Sequence, residues 1–151
     1  MDAIVVPLSF ADLLGRLLLA TLFGALIGLN REREGKPAGL RTHALVALGA
    51  AMMTIVGLLL QVSDAAAPSR VLQGIVAGVG FIGAGTILHR DDARGAHGLT
   101  TAAAIWIVAA IGVAAGAGLW RTAASALVVA LALLIGGEAV DRWIHRDRGR
   151  P

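Results

Sequence analysis

The sequence predicts an all-α membrane protein, a polytopic bundle of about five transmembrane helices. The chain of 151 residues is 57% hydrophobic and only 15% charged, and its mean hydropathy is +0.78. Soluble domains carry more charge and therefore more polar surface than this. Five apolar segments also approach the roughly 20 residues that a helix needs to cross the hydrocarbon core of a bilayer. The few charged residues cluster between these segments.

The five predicted spans follow the chain in order. They cover residues 13–29, 42–62, 71–88, 99–119 and 122–140. Residues 1–140 are therefore predicted to form one transmembrane domain, and residues 141–151 a basic cytoplasmic tail. The basic residues lie at the ends of the spans and not on one soluble face, so the high pI does not predict binding to nucleic acid.

The first and fourth spans carry small residues at helical spacing. Ala20, Gly24 and Gly28 lie four residues apart on one face of the first span, and Gly112 and Gly116 are spaced in the same way in the fourth. Small residues let helix backbones approach closely in a membrane, where burial of leucine does not drive association. These two faces are therefore predicted to pack against neighbouring helices.

The third span is the richest in glycine. Its glycines are Gly74, Gly78, Gly80, Gly83 and Gly85, and Gln73 is one of its few polar residues. Glycine inside a helix costs about 1 kcal/mol relative to alanine, so this density predicts close approach by neighbours, a lined cavity or a stretch that leaves regular helix. The G-x-G-x-x-G pattern here does not predict dinucleotide binding, because it lies inside a membrane span and not in a βαβ unit.

The distribution of Lys and Arg predicts the orientation in the membrane, because these residues accumulate in cytoplasmic loops. Ten of them lie in the first turn, the third turn and the tail, whereas three lie on the other side. The larger set is Arg31, Arg33, Lys36, Arg41, Arg90, Arg94, Arg142, Arg146, Arg148 and Arg150, and the smaller is Arg16, Arg70 and Arg121. The N-terminus is therefore predicted outside and the C-terminus inside.

The first two spans and the next two resemble each other. Sliding the chain by 59 residues aligns residues 24–44 with residues 83–103, and eight of these 21 positions are identical. The pattern predicts a parallel repeat of two hairpins, a feature of some transporters. Both cytoplasmic turns then re-enter the membrane through Gly-Leu-x-Thr.

The re-entry motifs predict two helix N-termini that meet at the inner face. Thr42, Thr100 and Thr101 are candidates to cap these helix starts. Helix N-termini attract anions and carboxylates. The carboxylates available in the turns are Glu32, Glu34, Asp91 and Asp92. Of these, Glu32, Asp91 and Asp92 are weak candidates for a metal site.

Four stretches of the sequence resemble the MgtC/SapB family of bacterial inner-membrane proteins: GALIGLNRE, AGLRTHALVALGAA, GIVAGVGFIGAGTIL and GLTTAAAIWIVAAIG. The resemblance implies a multi-pass inner-membrane bundle linked to magnesium homeostasis and growth at low magnesium. It also implies that the motif residues form the functional site. These candidates are Asn30, Arg31, Glu32, Arg41, Thr42, His43, Gln73, Gly80, Gly83, Gly85, His97, Gly98, Thr100 and Thr101.

The sequence departs from the family pattern at two positions. The family commonly has an acidic residue at the position of Asn30 and Arg or Lys at the position of His97. We hypothesise that an Asn30–His97 hydrogen bond replaces an ion pair. Longer relatives also carry a soluble C-terminal domain, and the short tail here predicts that its functions are missing.

Two functions stay open from the sequence. One is a regulatory or accessory protein that acts through contacts with a second copy or with another membrane protein. The alternative is a transporter or channel for a small ion such as Mg²⁺, which prefers oxygen ligands. No catalytic set is evident, so an enzyme is not expected. No cofactor is expected either, apart from Mg²⁺ itself. The predicted partners are the lipid bilayer, a second copy of the chain in a homodimer, and another membrane protein.

Overall fold

The computed structural model describes residues 8–61, 64–88 and 98–147. Within these ranges the regular structure consists of five α-helices. They are α1 (Phe10–Arg33), α2 (Leu40–Leu60), α3 (Ala67–Leu88), α4 (Leu99–Gly116) and α5 (Trp120–Asp147). Each is long and apolar enough to cross a membrane. The predicted fold class, a helical membrane bundle, is confirmed.

The helices overlap the five predicted spans but extend beyond several of them. At the start of α1 the side chain of Ser9 accepts a hydrogen bond from the backbone N–H of Asp12, which satisfies a donor that the helix itself leaves free. At the other end of the chain α5 continues to Asp147, past the predicted end of its span. The division into residues 1–140 and 141–151 and the orientation in the membrane stay predictions.

Helices α1, α2 and α4 form the centre of the bundle. The two chain neighbours α1 and α2 are antiparallel, because Gly24 lies against Ala47 while Gly28, one turn later, lies against Leu40. The buried residues between the three helices are apolar and mostly small. They include Ala20, Ile27, Ala47, Ala51, Val108, Ile111 and Ala115.

The predicted small-residue contacts of α1 and α4 are confirmed. A Cβ built on Gly24 would lie 2.5 Å from the carbonyl oxygen of His43, and one built on Gly112 would lie 2.3 Å from that of Ala47. Gly116 makes an equivalent approach to α2. Even one methyl group at these positions would collide with a neighbouring backbone, so glycine is what allows the helices to pack this closely.

The hairpins α1–α2 and α3–α4 place residues at equivalent positions in contact, although the approach is closer in the first hairpin. Helix α2 begins after Gly39 and α4 begins after Gly98, 59 positions apart as the alignment requires. The equivalent close pairs are Gly24 with His43 and Gly83 with Ala102, then Gly28 with Gly39 and Ile87 with Gly98. These contacts agree with the predicted parallel repeat.

The glycines of α3 behave differently from those of α1 and α4. A Cβ built on Gly83 would lie 3.5 Å from the Cβ of Ala102, which is an ordinary packing distance. A Cβ built on any of the other four meets nothing within 4 Å; these are Gly74, Gly78, Gly80 and Gly85. The predicted alternative of a stretch that leaves regular helix is wrong, because α3 is helical throughout. Of the five glycines, only Gly83 contacts another described helix.

Candidate functional site

Each of the three central helices contributes one buried polar side chain near the same end of the bundle. Arg31 of α1 is 3% exposed, His43 of α2 is fully buried, and Thr101 of α4 is 2% exposed. Polar groups are costly to bury in a membrane protein unless they are paired, and those that occur there usually serve a function. We call these three residues the polar layer.

Arg31 joins the last turn of α1 to the first turn of α4. A terminal nitrogen of its guanidinium donates a hydrogen bond to Oγ1 of Thr101 over 2.6 Å. The two residues are 70 positions apart in the sequence, so only the folded bundle brings them together. The contact places the end of α1 beside the start of α4. The predicted meeting of the two re-entry motifs, at the starts of α2 and α4, stays a prediction.

One ring nitrogen of His43 is hydrogen-bonded to a carbonyl at the start of its own helix, and the other has no partner among the described residues. Its Nδ1 lies 3.0 Å from the carbonyl oxygen of Gly39, and because a carbonyl can only accept, Nδ1 carries the hydrogen. In the neutral ring Nε2 is then an acceptor. This atom is buried without a hydrogen-bond partner among the described residues. His43 therefore offers a buried acceptor that a water molecule or another donor could use.

The predicted capping role of the threonines is wrong. Helices α2 and α4 begin at Leu40 and Leu99, after glycine caps that offer no side-chain hydrogen bond. Gly98 has a φ of 101°, a left-handed conformation that favours glycine. Thr42 and Thr100 therefore lie inside their helices, half-buried and exposed respectively. Thr101 instead accepts a hydrogen bond from the guanidinium of Arg31.

Glu32 performs the capping that the threonines do not. Its Oε2 accepts a hydrogen bond from the backbone N–H of Leu40 over 2.9 Å. A carboxylate at this position is favourable because it satisfies a free N–H and faces the positive end of the helix dipole. The predicted presence of a carboxylate at a helix start in the first turn is therefore confirmed for Glu32.

Removing this cap is expected to loosen the start of α2. We expect Glu32→Ala to destabilise the bundle by about 1 kcal/mol, the usual loss for a helix cap. The matched control is Glu32→Gln, which keeps an acceptor oxygen and should retain most of the protection. Hydrogen exchange at the Leu40 amide is the measurement. Equal exchange rates in wild type and Glu32→Ala would contradict the proposed cap.

Asn30 and Glu34 form a second polar pair in the last turn of α1. Nδ2 of Asn30 donates a hydrogen bond to Oε1 of Glu34 over 2.7 Å. The other carboxylate oxygen of Glu34 is buried without a hydrogen-bond partner among the described residues. The i, i+4 spacing could have predicted this pair. His97 lies outside the described residues, so its hypothesised bond to Asn30 stays a prediction.

The remaining candidates do not join the polar layer. The side chain of Arg41 is exposed and lines an open groove with those of Glu32, Lys36 and Thr42. Gln73, Gly80 and Gly85 lie on the exposed side of α3, whereas Gly83 packs on α4.

Of the three candidate metal ligands, the structure describes only Glu32. Asp91 and Asp92 lie outside the described ranges, and Glu32 is engaged at the start of α2. Within the described ranges, no three His, Asp or Glu side chains come together as a metal site would require. In the polar layer, Arg31 joins the end of α1 to the start of α4, and Nε2 of His43 can accept a hydrogen bond.

Comparisons with known proteins show which sequences this chain is similar to. SrpB of Synechococcus elongatus is 43% identical over 158 residues, covering 95% of this chain and 87% of SrpB. YhiD of Escherichia coli, provisionally named a magnesium transporter, is 42% identical over 130 residues, covering 82% of this chain and 60% of YhiD. MgtC of Salmonella typhimurium is 41% identical over 127 residues, covering 83% of this chain and 53% of MgtC.

The chain thus spans most of SrpB but about half to three fifths of the other two relatives. No solved structure matches it. A sequence profile described as the MgtC family matches residues 17–143, which include all three residues of the polar layer. The five membrane-spanning helices and these comparisons together identify a multi-pass membrane protein, and the chain belongs to the MgtC family.

Proposed function

We propose that this chain is a bacterial inner-membrane protein with a regulatory or accessory role in magnesium homeostasis, exerted through contacts with other membrane proteins. The observation that supports this proposal is the packed centre of the bundle. Helices α2 and α4 touch backbone to backbone at Gly112 and Gly116, and most of the buried side chains of α1, α2 and α4 are apolar. An ion path needs water, carbonyl oxygens or polar side chains along it.

The polar layer supports the same proposal. Arg31 of α1 donates a hydrogen bond to Thr101 of α4 over 2.6 Å, and both side chains are almost fully buried. This contact holds the ends of two central helices together. The proposed role involves no catalytic step and no resident cofactor.

A second candidate function is the transport of Mg²⁺. It is favoured by the provisional name of YhiD, which is 42% identical to this chain. If this chain conducts Mg²⁺, the path has to lie outside the packed centre formed by α1, α2 and α4. Such a path would place α3, the helix with the least buried surface, at its edge.

Ion flux in proteoliposomes distinguishes the two functions. Vesicles that contain a Mg²⁺-sensitive dye receive an external magnesium gradient, and we expect wild type to give the same flux as protein-free vesicles. Gly83→Leu separates α3 from α4, because its Cβ would already contact Ala102. Gly49→Leu is the matched control, since a Cβ there meets nothing within 4 Å. A saturable flux that only Gly83→Leu abolishes would overturn the regulatory proposal.

A further inference from the structure

Arg16 ties the first half of α1 to the end of α4. Its Nη1 donates a hydrogen bond over 3.0 Å to the carbonyl oxygen of Gly116, the last residue of α4. The two residues are 100 positions apart in the sequence, so the contact exists only in the folded bundle. An arginine at this place also faces the negative end of the helix dipole, which is favourable.

The end of α4 leaves this carbonyl available for Arg16. The N–H of Leu119 donates to the carbonyl oxygen of Ala114 over 2.8 Å. The N–H of Gly118 donates to the carbonyl oxygen of Ala115 over 3.0 Å. These two bonds form the Schellman motif that ends many helices. The next carbonyl, at the last residue of the helix, is the one that Arg16 satisfies.

Gly118 also makes room for the guanidinium. Its φ is 79°, a left-handed conformation that favours glycine. A Cβ built there would lie 3.1 Å from Cζ of Arg16 and 3.1 Å from its Nη2. A side chain at this position would therefore push the guanidinium away from the carbonyl of Gly116. The turn after α4 is thus suited both to its own backbone and to Arg16.

Arg16 and Arg31 make matching contacts at opposite ends of α4. Arg31 donates to Thr101 in the first turn of α4. Arg16 donates to Gly116 in the last turn. The two arginines are 15 positions apart in α1, and their two partners are 15 positions apart in α4. At 1.5 Å per residue this separation is about 22 Å, so the contacts hold α1 to α4 near both of its ends.

These contacts join the two hairpins of the predicted repeat, because α1 belongs to the first hairpin and α4 to the second. Between the contacts, Gly112 and Gly116 bring the backbone of α4 against α2, so the hairpins also touch along their length. Rocking of one hairpin against the other would have to open the contact at one end of α4. A hydrogen bond from a charged donor makes that opening roughly tenfold to a hundredfold rarer.

We propose that Arg16 and Arg31 clamp the two hairpins together at both ends of the bundle, so that the hairpins move as one body. Transporters built from repeats expose their site to the two sides alternately, by rocking one repeat against the other. A clamped bundle does not rock, and it leaves only a fixed path as a route for an ion. The proposal goes beyond the proposed function, since it concerns the motion of the bundle and not its role.

Distances between spin labels test the clamp, and the sequence contains no cysteine that would interfere with labelling. Leu14→Cys with Leu119→Cys reports on the last turn of α4, and Arg33→Cys with Leu99→Cys reports on the first; all four positions are exposed. In liposomes, pulsed EPR is expected to give one narrow distance for each pair, with or without magnesium. Two distances for each pair, with one end open while the other is closed, would overturn the proposal.

Removing one contact is expected to release one end of α4 alone. Arg16→Leu should raise the population with a separated last turn roughly tenfold and leave the first turn unchanged. Thr101→Val, which keeps the shape of the side chain, should do the reverse. Arg16→Lys keeps a donor for the carbonyl and should restore the narrow distance.

The matched control is Arg70→Leu, which removes an exposed arginine of α3 and should change neither distance. Narrow distances for both pairs in Arg16→Leu and in Thr101→Val would contradict the clamp. A magnesium flux in vesicles together with narrow distances in wild type would contradict the proposed function but support the clamp.

Discussion

Gly112→Ala is expected to destabilise the bundle by roughly 3 kcal/mol, at the upper end of the usual effect of overpacking a core. The added Cβ would lie 2.3 Å from the carbonyl oxygen of Ala47 and 2.9 Å from its Cα. Both are backbone atoms, so no change of rotamer relieves the collision. Helices α2 and α4 would have to separate, and the packed centre of the bundle would open.

The matched control for this prediction is Gly49→Ala in α2. A Cβ at Gly49 meets nothing within 4 Å, so this substitution should leave stability unchanged or raise it by up to about 1 kcal/mol through helix propensity. Unfolding by increasing fractions of SDS in mixed micelles, followed by tryptophan fluorescence, measures both variants. If Gly112→Ala unfolds at the same SDS fraction as wild type, α2 and α4 do not pack as described.

The hydrogen bond between Arg31 and Thr101 is expected to contribute about 1.5–3 kcal/mol, the usual range for a bond to a charged group. Both side chains are almost fully buried, and the donor–acceptor distance is 2.6 Å. A double-mutant cycle with Arg31→Leu, Thr101→Val and the double variant isolates this interaction from the other contacts of Arg31. SDS unfolding of the four proteins supplies the coupling energy.

Thr54→Val is the matched control for the threonine substitution. The hydroxyl of Thr54 is also buried, but it donates to the carbonyl oxygen of Ala50 in its own helix. The same chemical change there removes no bond between helices, and we expect it to cost less than about 1 kcal/mol. A coupling energy near zero between Arg31 and Thr101, or an equal loss at Thr54, would show that the polar layer does not join α1 to α4.

Sequence patterns predicted the fold class because the membrane restricts the choices. A chain inside lipid has to satisfy its backbone hydrogen bonds internally, so five long apolar segments become five helices. Helical spacing also predicted the packing faces of α1 and α4. The sequence predicted Glu32 as a carboxylate at a helix start because it lies in the first turn. The structure shows that contact, since Glu32 accepts a hydrogen bond from the backbone N–H of Leu40.

The same patterns could not distinguish one glycine from another. Gly24 and Gly112 meet a neighbouring backbone, whereas Gly78 and Gly85 face open space, although all four occur in glycine-rich spans. The difference depends on which face of a helix turns toward its neighbours. For α3 that face is decided by how the whole helices cross, because spacing alone shows which residues share a face and not what the face packs against.

The polar layer required the tertiary structure for a related reason. The sequence by itself determined five membrane helices, their small-residue stripes and a charged turn, since each depends on residues close together in the chain. The contact of Arg31 with Thr101 and the burial of His43 depend on three helices meeting at one end of the bundle. Residues that are 70 positions apart become neighbours only when the helices pack, so their roles were decided by the fold.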